Sequence, residues 1–146
     1  MEEVKVQKLK ENARLPLYAT ACSAGADLCA CLDAPVTIEP NRTVMIPLGF
    51  CAQLPAGCAG LVFARSGLAT KRGLAPANKV GVIDPDYRGQ WFVPLHNHGT
   101  FPQTVEDGER IAQLILTPYV TGKFVEAQTL SETERGDGGF GSTGTK

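Results

Sequence analysis

Three stretches of this chain carry groups able to grip a phosphate and to activate a water against it. In Gly81-Val82-Ile83-Asp84-Pro85-Asp86-Tyr87-Arg88-Gly89, a carboxylate at the mouth of a pocket could orient and deprotonate a water, which makes Asp84 a candidate general base. Tyr87 offers a ring face beside it. Turn chemistry by itself also accounts for these residues, since Pro85 fixes one φ angle and the aspartates bond nearby amides. In Ala64-Arg65-Ser66-Gly67, Arg65 and the Ser66 hydroxyl are donors for phosphate oxygens, and the free N–H groups at a helix start add to them. An ordinary capped helix with a solvated arginine would read the same way.

The third stretch is the tail, Arg135 to Lys146, with five glycines in twelve residues. Such a segment cannot pack a core or hold a helix, because glycine gains too much backbone freedom on unfolding. Arg135, Phe140, Ser142 and Thr143 nevertheless bring phosphate donors and a ring to stack on a flat base. A mobile arm closing over a nucleotide is one reading, and a solvated terminus is the other. Gly136, Gly138 and Gly141 match G-x-G-x-x-G, but only five residues follow, so no strand-then-helix unit exists and a dinucleotide fold is excluded. Arg135-Gly136-Asp137 also spells an adhesion tripeptide, a match that three residues reach by chance.

Other polar residues are ambiguous. Gln113, in Gly108-Glu109-Arg110-Ile111-Ala112-Gln113-Leu114, shares a face with Ile111 and Ile115 by period two, so it is either hydrogen-bonded in the core or exposed in a site. Asp27, in Ala24-Gly25-Ala26-Asp27-Leu28, reads as a turn former where a loop enters a strand. His96-x-His98 would set two imidazoles on one strand face, but no third ligand stands at a convincing spacing, and surface histidines are the simpler account.

The elements that must position these groups are short strands. Val4–Leu9, Val36–Ile38, Thr43–Leu48, Cys51–Leu54 and Gly60–Ala64 alternate or are β-branched, as do Lys79–Ile83, Gly89–Leu95, Thr104–Val105, Ile111–Pro118 and Phe124–Ala127. Turn residues separate them, and Gly81–Gly89 reads as a β-hairpin. With ten prolines and sixteen glycines, the pattern predicts an all-β sandwich or barrel. One short helix is predicted from Ser66 through Lys71, with Ser66 as N-cap and Gly73 ending it.

At 146 residues the chain holds one domain, read as a β core over 1–128 and an arm over 129–146. A net charge of −1 and a pI near 6.1 argue against a protein that coats nucleic acid by counterion release, while Arg65, Lys71, Arg72 and Lys79 leave a small anion possible. The five cysteines, odd in number and without a C-x-x-C pair, read as reduced, mostly buried thiols. No apolar run is long enough to span a membrane, and the N-terminus has no apolar leader segment. The expectation is a soluble intracellular protein, cytoplasmic or nuclear.

Each motif is weak alone, but together, in this order and over nearly the whole chain, the five stretches at 24–28, 64–68, 81–89, 108–114 and 135–144 resemble the motifs of the homotrimeric dUTP pyrophosphatases (dUTPases). The resemblance implies a jelly-roll-like β fold (a β-clip) with one short helix and a flexible C-terminal arm. It also implies a homotrimer with three active sites at subunit boundaries, hydrolysing dUTP to dUMP and pyrophosphate with Mg²⁺. That reaction would limit uracil in DNA and supply dUMP for dTMP synthesis. On that resemblance Asp84 is the general base, and Tyr87 lies against the deoxyribose and excludes a 2′-hydroxyl. Arg65, Ser66 and Gly67 hold the phosphates, with Gln113 also at the phosphates and Asp27 supporting the metal–water shell or neighbouring side chains. Backbone groups from Asn78 to Gly81 read the base. Arg135, Ser142 and Thr143 bind the terminal phosphate, and Phe140 with Gly141 closes over uracil. The metal is expected on substrate phosphates and waters, because magnesium keeps water and phosphate ligands in preference to an all-protein cage.

The nearest alternative is a dCTP deaminase of the same fold, which needs a catalytic glutamate beside the base, whereas this chain carries Asp84 and Tyr87. A nucleotide-binding trimer without catalysis would be expected to have lost Asp84, Arg65 or Phe140, and all are present. Asp137 departs from the family pattern by adding a negative charge near the expected phosphates.

Overall fold

The structure, a computed structural model, describes residues 3–139. Its strands run in chain order as β1 (Lys5–Lys8), β2 (Leu17–Tyr18), β3 (Ala26–Cys29), β4 (Val36–Ile38), β5 (Thr43–Pro47) and β6 (Phe50–Gln53). After β7 (Cys58–Phe63) comes the helix α1 (Ser66–Arg72), followed by β8 (Leu74–Pro76), β9 (Gly81–Ile83), β10 (Phe92–Asn97), β11 (Gln103–Val105) and β12 (Arg110–Pro118). The fold is the expected all-β one with a single short helix among the described residues. No helix among them is long and apolar enough to cross a membrane.

Every pairing is antiparallel. The largest sheet has the order β2-β3-β12-β7-β9, and three smaller ones are β5-β10-β8, β1-β6 and β4-β11. Alternation directs the packing. Along β10, Val93, Leu95 and Asn97 are buried while Phe92, Pro94 and His96 face outward, the period of two expected of a half-buried strand. Inward residues of all the sheets, including Leu28, Ile38, Ile46, Leu74, Val105 and Ile111, form one core. Trp91 packs against Phe50 within it, ring centroids 5.3 Å apart at a tilt of 48°. Asn97 is the buried polar exception, and it is fully used. Its Nδ2 donates to the carbonyls of Ile38 (2.9 Å) and Phe101 (2.8 Å), and its Oδ1 accepts from the Gly99 amide (2.9 Å).

Several local expectations change. Gly81–Gly89 is not a hairpin. β9 pairs with β7, whereas β10 pairs with β5 and β8, so the turn at Asp84 carries the chain from one sheet to another. Turn residues set a reversal but not which strand receives the chain. The helix is capped by Arg65 in an extended conformation with no side-chain cap bond, and Ser66 is its first residue. Gly73 does end it, at φ 65° in the left-handed region. There a Cβ would lie 2.9 Å from the Gly99 amide nitrogen.

Strands β2 and β8 are too short to show a period in the sequence, and β3 begins within what reads as a loop. Phe124–Ala127 forms no strand, and among the described residues nothing pairs with it. Residues 119–137 are all exposed and lack helix or strand. All five thiols are free, but only Cys29 and Cys31 are buried; Cys51 and Cys58 are half-buried and Cys22 is exposed.

Candidate active site

β3, β12 and β7 lie side by side, and their register brings three polar residues together. Gln113 stands opposite Asp27 on one side and Phe63 on the other. Two residues past Phe63, β7 runs into Arg65 and α1. Asp27, Arg65, Ser66, Gly67 and Gln113 therefore line one open cavity of about 580 Å³, together with Ser23 and Gly25.

Asp27 is not a turn former. It sits within β3, its side chain 14% exposed, and each carboxylate oxygen holds an arginine: Arg65 Nε at 2.7 Å and Arg110 Nη1 at 3.1 Å. Arg65 also donates through Nη1 to the Arg110 carbonyl at 3.4 Å. One carboxylate between two guanidiniums leaves a local excess of positive charge, the field an oligophosphate needs. Arg110 lies in the 108–114 stretch, but the sequence hides its role, because its partner Asp27 is on a strand 83 residues away.

Gln113 satisfies both readings at once. It is half-buried, its Nε2 donates to the Ala64 carbonyl at 2.8 Å, and it still lines the cavity. Gly25 leaves it that room, since a Cβ there would lie 2.5 Å from Gln113 Oε1. The register of β12 slips between Arg110 and Ala112. This breaks the simple period, so Ile111 enters the core while Gln113 and Ile115 face the cavity. At Gly67 a Cβ would meet nothing within 4 Å, so the backbone is open to close approach.

The other predicted residues stand elsewhere on the chain. Asn78, Lys79 and Val80 form a tight loop in which Lys79 takes φ 64° and the Val80 amide donates to the Asn78 carbonyl at 2.7 Å. The loop delivers Gly81 opposite Val62. There a Cβ would sit 3.2 Å from both Asn78 Nδ2 and Val62 Cβ.

Asp84 and Tyr87 close a turn, the Tyr87 amide donating to the Asp84 carbonyl at 3.2 Å, and both are exposed. Tyr87 Oη donates to the Gln90 carbonyl at 3.1 Å, which lays its ring over Gly89. Because Ile83 pairs with Gly60 in an antiparallel register, Asp84 continues to the level of Ala59, six residues back along β7 from Arg65, about 20 Å at strand rise. A single chain thus does not bring Asp84 to Ser66.

Arg135 is exposed and turned onto its own segment, Nε donating to the Gly138 carbonyl at 2.8 Å. Phe140, Gly141, Ser142 and Thr143 lie outside the described residues. His96 and His98 stack edge-on at 4.3 Å, and His96 Nδ1 bonds the Thr43 hydroxyl at 2.8 Å. Among the described residues, no three His, Cys, Asp or Glu side chains gather as a metal site would require.

The dUTPase family model matches residues 11–144. The chain belongs to the dUTPase family. It is 52% identical over 145 residues to the deoxyuridine 5′-triphosphate nucleotidohydrolase of Desulfitobacterium hafniense (strain DSM 10664 / DCB-2), covering 97% of this chain and 96% of that protein. The protein of that name from Paraburkholderia phymatum is 45% identical, with 97% of each chain covered. Among solved structures, the dUTPase of Staphylococcus bacteriophage 80alpha with dUPNHPP superposes with a TM-score of 0.86 at 27% identity, covering 99% of this chain and 100% of that one. The matched range includes the cavity residues Asp27, Arg65 and Gln113, the Asp84 turn and residues 129–144.

Proposed function

We propose that this chain hydrolyses dUTP to dUMP and pyrophosphate in a homotrimer whose active sites combine parts of neighbouring copies. The observation that carries the reading is the Arg65–Asp27–Arg110 network beside Ser66, Gly67 and Gln113, a preorganised set of donors for a triphosphate. Asp84 accepts a proton from a water, which attacks the α-phosphorus. The bond from that phosphorus to the α–β bridging oxygen breaks, and pyrophosphate leaves toward Arg65 and Ser66. In-line displacement needs the base on the side opposite the leaving group.

The strand distance between Asp84 and Arg65 within one chain supports a site in which a second copy supplies Asp84 and Tyr87. Exposed apolar residues support that assembly. Phe92 and Met45 face outward on the β5-β10-β8 sheet, and Val120, Phe124, Val125 and Leu130 stand free of their own chain's core. Arg135, Phe140, Gly141, Ser142 and Thr143 then close over phosphate and uracil, with backbone groups of Asn78–Gly81 reading the base and their tight fit refusing thymine's methyl.

The donor set suits a magnesium ion carried on the phosphates and their waters, because the one cavity carboxylate, Asp27, is committed to two arginines. These contacts favour Asp27 as a support for side chains over a ligand of the metal shell. Bound there, the ion neutralises phosphate charge. The physiological consequence is removal of dUTP from the DNA precursor pool, inside the cell.

Pyrophosphate release from dUTP, dCTP, dTTP and UTP at equal concentration with Mg²⁺ tests this reading. Release from dUTP alone is expected. Turnover of dCTP with loss of ammonia would replace it with deamination, and silence on all four in a folded trimer would reduce the protein to a nucleotide-binding module.

A further inference from the structure

Helix α1 has seven residues and buries one of them, Leu68, too little to hold its own orientation. Two arginines flank its axis. At the leading end Arg65 reaches Asp27 and the Arg110 carbonyl. At the trailing end Arg72 uses its whole guanidinium: Nε donates to Gln103 Oε1 at 2.9 Å, Nη1 to Glu109 Oε1, and Nη2 to the Thr104 carbonyl. Glu109 and Arg110 are adjacent, so both ends of the helix are tied to the same step where the chain enters β12. That step is itself held. The second Glu109 oxygen accepts from the Glu106 amide at 3.1 Å, and the Glu109 carbonyl accepts from the Ala30 amide at 2.8 Å, just past β3 and Asp27.

We propose that Arg72, through Glu109, is a positioning residue for the dUTP site: it sets the orientation of α1 and so the placement of Ser66 and Gly67 against the phosphates. The inference rests on the reading of the cavity as the phosphate site. The pair is partly shielded, with side-chain exposures of 30% for Arg72 and 24% for Glu109, so its attraction is less screened than that of a free surface pair. Arginine suits this position better than lysine. A planar fork serves three acceptors together, whereas a lysine ammonium on a flexible stem matches them poorly. Arg72 lines no part of the cavity, so its effect passes through the helix. In-line displacement is sensitive to small misplacements, of order a hundredfold for about 1 Å, while ground-state affinity is spread over base, sugar and phosphates.

The test compares full-length wild type with R72Q, R72K and E109Q, reading steady-state dUTP turnover, melting temperature and amide hydrogen exchange over residues 66–72. In R72Q, kcat is expected to fall about tenfold or more with KM within about threefold, and α1 amides are expected to exchange faster while the core strands do not. R72K should lie between R72Q and wild type. R72Q/E109Q should be no worse than R72Q alone, because the Arg72–Glu109 contact that E109Q weakens is already lost in R72Q.

Turnover of R72Q within about twofold of wild type, or a loss matching only its unfolded fraction, would overturn the proposal. Should R72Q fail to fold, R72K and E109Q carry the same comparison. If wild type itself does not turn over dUTP, the functional reading falls, and exchange alone judges Arg72. Faster exchange confined to 66–72 then supports its hold on the helix, and unchanged exchange refutes it.

Discussion

Asp27 binds Arg65 at 2.7 Å with one carboxylate oxygen and Arg110 at 3.1 Å with the other, so a residue of β3 fixes the aim of a guanidinium that follows β7. Asp27→Asn keeps the shape and removes the charge that holds both arginines. kcat/KM for dUTP should fall about tenfold or more, equivalent to about 1.4 kcal/mol of transition-state stabilisation. Stability should drop by about 1–3 kcal/mol as charge-assisted bonds weaken. Kinetics alongside urea denaturation measures both, and unchanged kinetics would show that Arg65 needs no holder.

Asp84 is exposed and makes its turn through its backbone carbonyl, which leaves its carboxylate uncommitted to the turn. Asp84→Asn should retain binding of a non-hydrolysable dUTP analogue and lose turnover by about 10²–10⁴-fold, the usual worth of a general base. Calorimetric titration beside pyrophosphate release separates the two. Near-normal turnover would remove Asp84 from the mechanism.

Residues 119–137 contribute no strand and bury little. Removing residues 131–146 should therefore leave the melting temperature and oligomeric state unchanged while abolishing dUTP turnover. An active truncated protein would show that closure by the arm is unnecessary.

Phe140→Ala makes a finer version of that test. It should cost about 1–3 kcal/mol in dUTP handling if the ring stacks on the base, read as kcat/KM.

Asp107 ties the chain segment before β2 to the turn before β12. The Leu32 amide donates to its carboxylate at 2.8 Å, and Asn12 Nδ2 donates at 3.1 Å. The Leu32 bond first, then Asn12 and the Arg14 charge, outweigh burial and hold this carboxyl below the ordinary range. A depressed folded-state pKa means that the contribution to stability is full above about pH 4, the unfolded value, and disappears as pH falls through the folded one. Melting curves from neutral to acid pH should show Asp107→Asn less stable than wild type near neutrality, with the gap closing in acid. A gap that persists unchanged into acid would mean the charge is not what stabilises.

Part of the fold and of the candidate site was legible because those residue types are tied to local needs. Gly73 follows from the left-handed conformation that ends a helix, Ser66 and Arg65 from the donors a phosphate takes, and β10 from its alternation. What stayed hidden was pairing. Arg72 looks like any basic residue in the last turn of a helix, yet its partners lie more than thirty residues away. The Asp84 turn looks like a hairpin because turn chemistry is the same whether the next strand joins the same sheet or another.

The sequence by itself determined the all-β class, the short helix and the set of groups available for phosphate chemistry, since these depend on side-chain periodicity and backbone preferences within a few residues. Only the tertiary structure decided that Asp27 serves two arginines, that Gln113 is both bonded and presented to the cavity, and that Asp84 stands apart from Ser66 in one chain. Those outcomes depend on which strands become neighbours and in what register, and register is set by the packing of the whole core.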